Sequence, residues 1–471
     1  MKKILLMSCA VALLSGCSLV PDYLRPDLPV PDAWGDGPAS KPQATVKDGQ
    51  PLFADVAWKD FFVDPSLRRL IAQALDNNRD LRVAALNIEV ARASYGIAQA
   101  DLLPNVDAGG TATTSRTPKA LSSTSPARAV TSRKYTANLA VTAFELDLFG
   151  RVRSLDEKAL ESFFATQQAH DSTQISLIAE VANAYLTLLG DRKLLALTEE
   201  TLSTREQSLQ LIGKSFEAGI SSELDLAQAR SSVETARVNR AKYIRQVDQD
   251  RNALVLLVGA PVPAAELSGD LDKMTLVEDL PVGLPSQVLL RRPDIAQAEH
   301  SLKAANANIG AARAAFFPTI SLTGSLGYAS PNLGSLFEAG SGAWSFGPSL
   351  SVPIFDAGRN QANLDSAKAS RDIAIAQYEK AIQTAFSEVS DSLAAKGTLT
   401  DQMAAQSSLV AATQTSYRLS QARYDRGIDS YLNVLDSQRS LYGAQQDLVT
   451  VHVSRLSNLV TLYKVLGGGR E

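Results

Sequence analysis

Any catalysis by this chain would have to be assembled from two cysteines, three histidines and its carboxylates. His170, His300 and His452 lie far apart within helical patterns, where a solvated or helix-face role explains each better than metal ligation. The sequence has no phosphate-cradling glycine loop, no metal-ligand spacing and no nucleophile, base and acid in a workable order. The expectation is a protein that is not an enzyme and takes no cofactor and no metal. Cys9 falls inside the apolar run from Ile4 to Leu14, which follows Lys2 and Lys3 and is too short to span a bilayer as a helix. That segment reads as a secretory signal. Cys17 is the thiol that remains, and the acids that attract attention are Asp225, Asp429 and Asp436, beside two glycine-centred turns.

Cys17 closes the run Leu14-Ser15-Gly16-Cys17, the pattern of bacterial lipoprotein signals, in which small residues fit the peptidase and the thiol accepts a diacylglycerol. Residues 1–16 are therefore expected to be removed and Cys17 to be lipidated, with Ser18 rather than aspartate favouring the outer membrane. The mature chain then has no thiol pair for a disulfide, so stability must come from packing or oligomerisation. A formal charge of -4, without basic clusters interleaved with aromatics, argues against a nucleic-acid partner. No stretch after Leu14 is apolar enough for a transmembrane helix, so whatever crosses a membrane must be β.

What positions these residues is an internal repeat. Asp80, Leu81, Ala84, Ala91, Gly96, Ala98, Ala100 and Pro104 recur as Asp294, Ile295, Ala298, Ala305, Gly310, Ala312, Ala314 and Pro318. Further on, Gly150-Arg151, Glu180-Val181 and Gly219-Ile220 recur as Gly358-Arg359, Glu388-Val389 and Gly427-Ile428, and Leu224, Ala236 and Gly259 recur as Leu432, Ala444 and Gly467. The shorter spacing of this second series gives the first copy about six extra residues between Pro104 and Gly150, an excess expected in a loop. The chain divides into a lipid-anchored arm and equatorial part (17–70), a first repeat (71–260), a proline-marked linker (261–285) and a second repeat (286–469).

Each repeat reads helix, strand, loop, strand and two long helices. In the second copy Ile320, Leu322, Leu326 and Tyr328, then Trp344, Phe346, Leu350, Val352 and Ile354, alternate with small or polar neighbours; in the first, Tyr135, Ala137, Leu139, Val141 and Ala143 do so. Strands of about ten residues with one apolar and one polar face suit tilted transmembrane β-strands, or a surface sheet over a soluble core. The loops are expected near 111–132 and 329–343. Beyond them a three-and-four spacing marks paired helices, through Leu226, Ala229, Val233, Ala236, Arg240, Tyr243, Val247, Asp250 and Leu254 and again from Val434 to Val465. The proline-free stretch from Arg151 to Ile212 would run roughly 90 Å as a helix, the dimension of something that crosses a periplasm.

Four such strands cannot close a barrel, and open edges are not tolerated in lipid. Closure needs more chains, and three would give twelve strands.

Gly283-Leu284-Pro285-Ser286, Arg291-Arg292-Pro293-Asp294-Ile295, Ala298-Glu299, Ile309-Gly310 and Phe316-Phe317-Pro318, together with Glu145-Leu146-Asp147-Leu148-Phe149-Gly150-Arg151, Tyr378-Glu379-Lys380-Ala381-Ile382-Gln383 and Gly467-Gly468-Gly469, resemble the outer-membrane efflux lipoproteins, the OprM-like members of the TolC superfamily that serve tripartite RND pumps. The resemblance implies an α/β membrane protein. It would be a homotrimer sharing a 12-stranded transmembrane β-barrel continued by a long periplasmic α-helical barrel with a small equatorial domain. It also implies outer-membrane lipids, a periplasmic adaptor and an inner-membrane proton-driven RND transporter as partners.

The turns Phe216 to Ser221 and Tyr424 to Asp429 each centre on a glycine between long helices, and glycine tolerates the left-handed conformation that ends a helix. The resemblance makes them adaptor-docking tips, through Phe216, Gly219, Ile220, Tyr424, Gly427 and Ile428. It places the gate at Leu432 and Asp436, one turn apart, with Asp225 and Asp429 adding charge nearby. The TolC-like pattern carries two aspartates three apart, and Asn433 stands where the first would be. Solvated surface is the alternative for each acid. The functions left open are a passive duct for drugs, solvents or other small amphipathic compounds, a duct for exported polypeptides, and a lipid-anchored coiled-coil scaffold without a pore.

Overall fold

The computed structural model describes residues 18–34, 55–123, 125, 126, 128–278, 282 and 285–469; the signal segment and Cys17 lie outside them. The elements are α1 (Trp58–Phe61), α2 (Pro65–Asn77), α3 (Arg79–Ala100), β1 (Val106–Thr117), β2 (Val130–Leu146), α4 (Arg151–Glu217), α5 (Glu223–Val258), α6 (Pro285–Leu289), α7 (Pro293–Ala314), β3 (Thr319–Ser330), β4 (Gly342–Ser351), α8 (Arg359–Asp425) and α9 (Tyr431–Val465). The order helix, two strands, two long helices occurs twice, and α4 and α8 are each 67 residues long. The boundary expected at residue 70 falls inside α2.

Several expectations need correction. Residues 111–117 and 130–132 are strand, so the first loop is confined to 118–129; residues 329, 330, 342 and 343 are strand as well, which confines the second loop to 331–341. The excess length of the first repeat sits in β2, which has 17 residues where β4 has 10. β2 is paired on both sides, and its extra length carries a bulge between Val141 and Phe144 with Ala143 at φ 51°. The alternation expected to continue through Ala143 therefore breaks there. Val352 and Ile354 lie beyond the end of β4.

The chain forms two compact units. Of the described residues, the first gathers 18–26, Asn87–Thr166 and Gln297–Tyr378. It holds a single antiparallel sheet in the order β1-β2-β3-β4. An extended N-terminal segment lies along α7: Asn306 Nδ2 donates to Pro21 O at 2.7 Å, Arg313 Nη1 to Leu19 O at 3.0 Å, and Arg25 makes a two-oxygen contact with Glu299 at 2.8 and 2.9 Å. Gly310 is what allows this approach, because a Cβ there would sit 2.6 Å from Ser154 Oγ and 3.0 Å from Val20 N. Burial opposes charge on Glu299, but Arg25 and Lys303 outweigh it and hold the carboxyl below its usual range.

The second unit contains Asp27–Leu86, Gln167–Ala296 and Glu379–Glu471. Its core joins α1 and α2 to the long helices. Tyr463 stacks on Phe61 with centroids 4.1 Å apart, Phe61 meets Phe62 edge-on, and Tyr463 Oη donates to Val56 O at 2.5 Å. Arg292, 9% exposed in its side chain, bonds Asp294, Glu388 and the carbonyl of Val465, so the arginine of the signature run fixes where α9 ends.

Along the helix seam, Ala229, Val233, Ala236, Tyr243 and Leu254 are buried as the spacing requires, Arg240, Arg455 and Asn458 find partners, and Asp250 keeps its Oδ2 buried without a hydrogen bond among the described residues. Arg240 pairs with Glu199, Arg455 with Glu278, and Asn458 donates to Ser392 O. Asp250 meets Asp191 of α4. Burial first, and the neighbouring Asp191 second, raise Asp250 to about 6, and burial also raises Asp191. A folded value above the usual 3.8 means that the stability supplied by the neutral carboxyl is complete below 3.8 and is lost as pH rises through about 6. Asp250→Asn should thus unfold at higher denaturant than wild type at about pH 8, with the advantage shrinking toward about pH 4; equal midpoints at both pH values would remove the pair from the account.

Candidate functional site

Because side chains alternate across a strand, the pairing register defines two faces of the sheet. One carries Val106, Ala108 and Ala112 of β1, then Tyr135, Ala137, Leu139 and Val141 of β2, then Ile320, Leu322, Leu326 and Tyr328 of β3, and finally Trp344, Phe346 and Leu350 of β4. Leu139 stands opposite Leu326, which stands opposite Trp344. The bulge preserves this face: β2 supplies odd-numbered residues before it and Phe144 and Leu146 after it, opposite Leu322 and Ile320. The other face is a ladder of hydroxyls, with Thr111 and Thr136 2.6 Å apart and Ser115–Ser132, Ser325–Ser345 and Ser321–Ser349 each at 2.8 Å. Trp344 is 77% exposed, and among the described residues β1 and β4 each keep one unpaired edge. No helix among the described residues is long and apolar enough to cross a membrane.

The two turns between long helices are built alike. Gly219 and Gly427 hold φ of 72° and 71°. Gly219 N–H donates to Phe216 O and Ile220 N–H to Ser215 O; Gly427 N–H donates to Tyr424 O and Ile428 N–H to Arg423 O, at 2.8 to 3.0 Å. This paired closure leaves the residue after the glycine at the turn's apex. Ile220 is 81% and Ile428 58% exposed. The structure brings both hairpins together: Ile212 and Ala229 of the first pack with Tyr431, Val434 and Leu435 of the second; within the second, the Tyr424 and Tyr431 rings lie 5.5 Å apart. Phe216 remains half-exposed at the first turn.

The three candidate acids and the one candidate leucine separate into two kinds. Asp225 closes a capping box, its Oδ2 accepting from Ser222 N–H at 3.1 Å while its own N–H donates to Ser222 Oγ at 3.1 Å. Asp429 is clasped across its turn by Arg423, Nε to Oδ2 at 2.5 Å, and that guanidinium holds the carboxyl below its usual range. Leu432 and Asp436 are exposed on one face of α9, and Asp436 forms no ion pair among the described residues. Sequence reasoning missed Arg205. It is buried with its guanidinium 5.4 Å over the Tyr442 ring and Nη1 donating to Ser232 O at 2.9 Å, and burial pushes its pKa down. Nothing in its spacing separates it from the solvated arginines around it.

An amphipathic sheet whose outer strands have unpaired edges among the described residues, in a chain that also holds paired helices dozens of residues long, has the make-up of a membrane-channel protein. Comparison with known proteins narrows the class. The sequence profile of the outer membrane efflux proteins matches residues 70–260 and 284–468. The chain is 51% identical over 471 residues to the toluene efflux pump outer membrane protein TtgC of Pseudomonas putida, covering 99% of this chain and 96% of that protein. Its fold is similar to that of a membrane protein from Pseudomonas aeruginosa, at TM-score 0.90 and 44% identity over 96% of this chain and 98% of the other. It is also similar to the open state of the Neisseria gonorrhoeae MtrE outer membrane channel, at TM-score 0.86 and 39% identity over 97% and 99%. This chain belongs to the outer membrane efflux protein family, a family of transport channels rather than of enzymes.

Asp225→Ala should cost about 1 kcal/mol in the first turn of α5. Hydrogen exchange there is expected to quicken by about fivefold while α9 is unchanged; equal quickening in α9 would mean that Asp225 acts beyond its own cap.

Proposed function

We propose that this protein is the outer-membrane exit channel of a tripartite efflux pump, conducting drugs, solvents or other small amphipathic compounds passively outward. The observation that carries this reading is the sheet with an apolar face, a hydroxyl-lined face and two unpaired edges. Hydrocarbon accepts the first face, a watery lumen accepts the second, and neither edge can be left open in lipid. Three copies close a twelve-stranded barrel wide enough for a lumen. The paired helices continue it as a periplasmic helical barrel, with an equatorial domain and with Cys17 as lipid anchor. Relatives named for toluene, solvent and antibiotic efflux fit this substrate range.

In this reading the tips at Phe216, Gly219, Ile220, Tyr424, Gly427 and Ile428 dock a periplasmic adaptor, whose apolar surface would cover the exposed isoleucines. Leu432 and Asp436 form the constriction, where three carboxylates around a symmetry axis repel one another. Asp225 and Asp429, tied into their turns, add negative charge close by. Opening is a sliding of packed helices, biased by the adaptor. A proton-driven inner-membrane transporter supplies the energy.

Single-channel recording in planar bilayers, with cross-linking to count chains, tests the proposal. A trimer of low conductance that rises severalfold in Asp436→Ala is expected. A trimer that conducts in neither form would point instead to a scaffold without a pore.

A further inference from the structure

The loop end of the sheet differs in charge from the rest of the chain. Residues 116–134 and 331–341 hold Arg116, Lys119, Arg128, Arg133 and Lys134 against one carboxylate, Glu338, in a chain whose net charge is -4. At the opposite end, the acids of β2 and the segment after it are neutralised locally, Glu145 by Arg151 and Asp147 by Arg153. Register decides where the positive charges point. Thr131 pairs with Arg116 and Arg133 with Thr114, so both arginines stand on the same face as Tyr135, Leu139, Leu326 and Trp344, the apolar one. As diagonal neighbours across the strand pair they lie roughly 7–8 Å apart. Lys134 points to the hydroxyl face. Arg116 and Arg133 are exposed, and among the described residues neither has an ion-pair partner.

The position along the strand is equally specific. From Leu146 to Tyr135 the strand rises about 36 Å. Tilted by about 45°, that segment spans close to the apolar band of about 25 Å that faces lipid in membrane barrels. Tyr135 and Tyr328 then sit where aromatic side chains mark the interface, with Phe337 packed edge-on against Tyr328 at 5.4 Å. Arg133 is the next residue outward on that face, at headgroup depth. A guanidinium there, lacking a protein carboxylate, is matched by a phosphate oxygen pair.

We propose that Arg116 and Arg133 form a lipid-facing clamp for phosphomonoester headgroups in the leaflet at the loop end of the sheet. The inference rests on the membrane-channel reading. The clamp selects which lipid surrounds the channel there, independently of what passes through.

The test uses full-length protein reconstituted in phosphatidylcholine vesicles, reading energy transfer from tryptophan, chiefly Trp344 in the sheet, to trace dansyl-labelled phosphatidic acid. Dansyl-labelled diacylglycerol, which lacks the phosphate, is the control. Preference for phosphatidic acid is expected in wild type and should fall by about fivefold for each arginine removed in Arg116→Gln and Arg133→Gln. It should be weakened but not lost in Arg116→Lys/Arg133→Lys, which keeps the charge without the planar fork, and be unchanged in Lys134→Gln, on the other face. Undiminished preference in the double glutamine variant overturns the proposal, as does an equal loss in Lys134→Gln. Abolition of the preference by millimolar inorganic phosphate would assign the site to free phosphate and overturn the lipid assignment. Flotation with phosphatidylcholine vesicles is scored separately. Wild type that fails to float removes the membrane reading and the clamp with it, whereas wild type that floats without preference removes the clamp alone.

Discussion

Two unpaired strand edges govern everything else in this molecule. Among the described residues, β1 and β4 each present one edge with no strand beside it, tolerable in water and costly by several kcal/mol per unpaired group in hydrocarbon. A chain with an apolar sheet face therefore cannot satisfy its backbone alone. In the channel reading proposed above, this deficit is met by neighbouring copies of the chain.

The sheet also has to keep its faces sorted across a strand of 17 residues. A strand that long accumulates twist, and one slip of register would exchange the hydroxyl face for the apolar one. The bulge at Ala143 absorbs one residue and restores parity, so that Phe144 and Leu146 continue the face begun by Tyr135. In the second unit, alanine and serine along the seam let helices approach closely, while Arg292, Arg455 and Asn458 tie helix ends and flanks to particular backbone or carboxylate oxygens.

How legible this was varied with the physical signal. β3 and β4 were readable because large apolar residues alternate with serine and threonine. Most of β1 was not, because Ala, Gly and Thr in Val106–Thr117 alternate without a contrast in size or polarity, and its strand character comes from pairing with β2. The bulge left no mark in composition. Glycine announced both helix turns, since φ near 70° is available to few other residues. The cap formed by Ser222 and Asp225 carries a sequence signature of its own, but the same carboxylate also reads as a gating charge, and only its hydrogen bonds distinguish the two. The Arg423–Asp429 clasp is set by the three-dimensional path of the turn, and Arg205 gains its burial from helices distant in sequence.

The N-terminal strap has a consequence for biogenesis. Its partners on α7 lie 274 to 294 residues downstream, so none of them exists when the strap leaves the ribosome. The segment must stay unbound through the synthesis of more than half the chain and settle onto α7 late. Docking of the strap thus reports that the chain has been made at least as far as Arg313 and that α7 has formed.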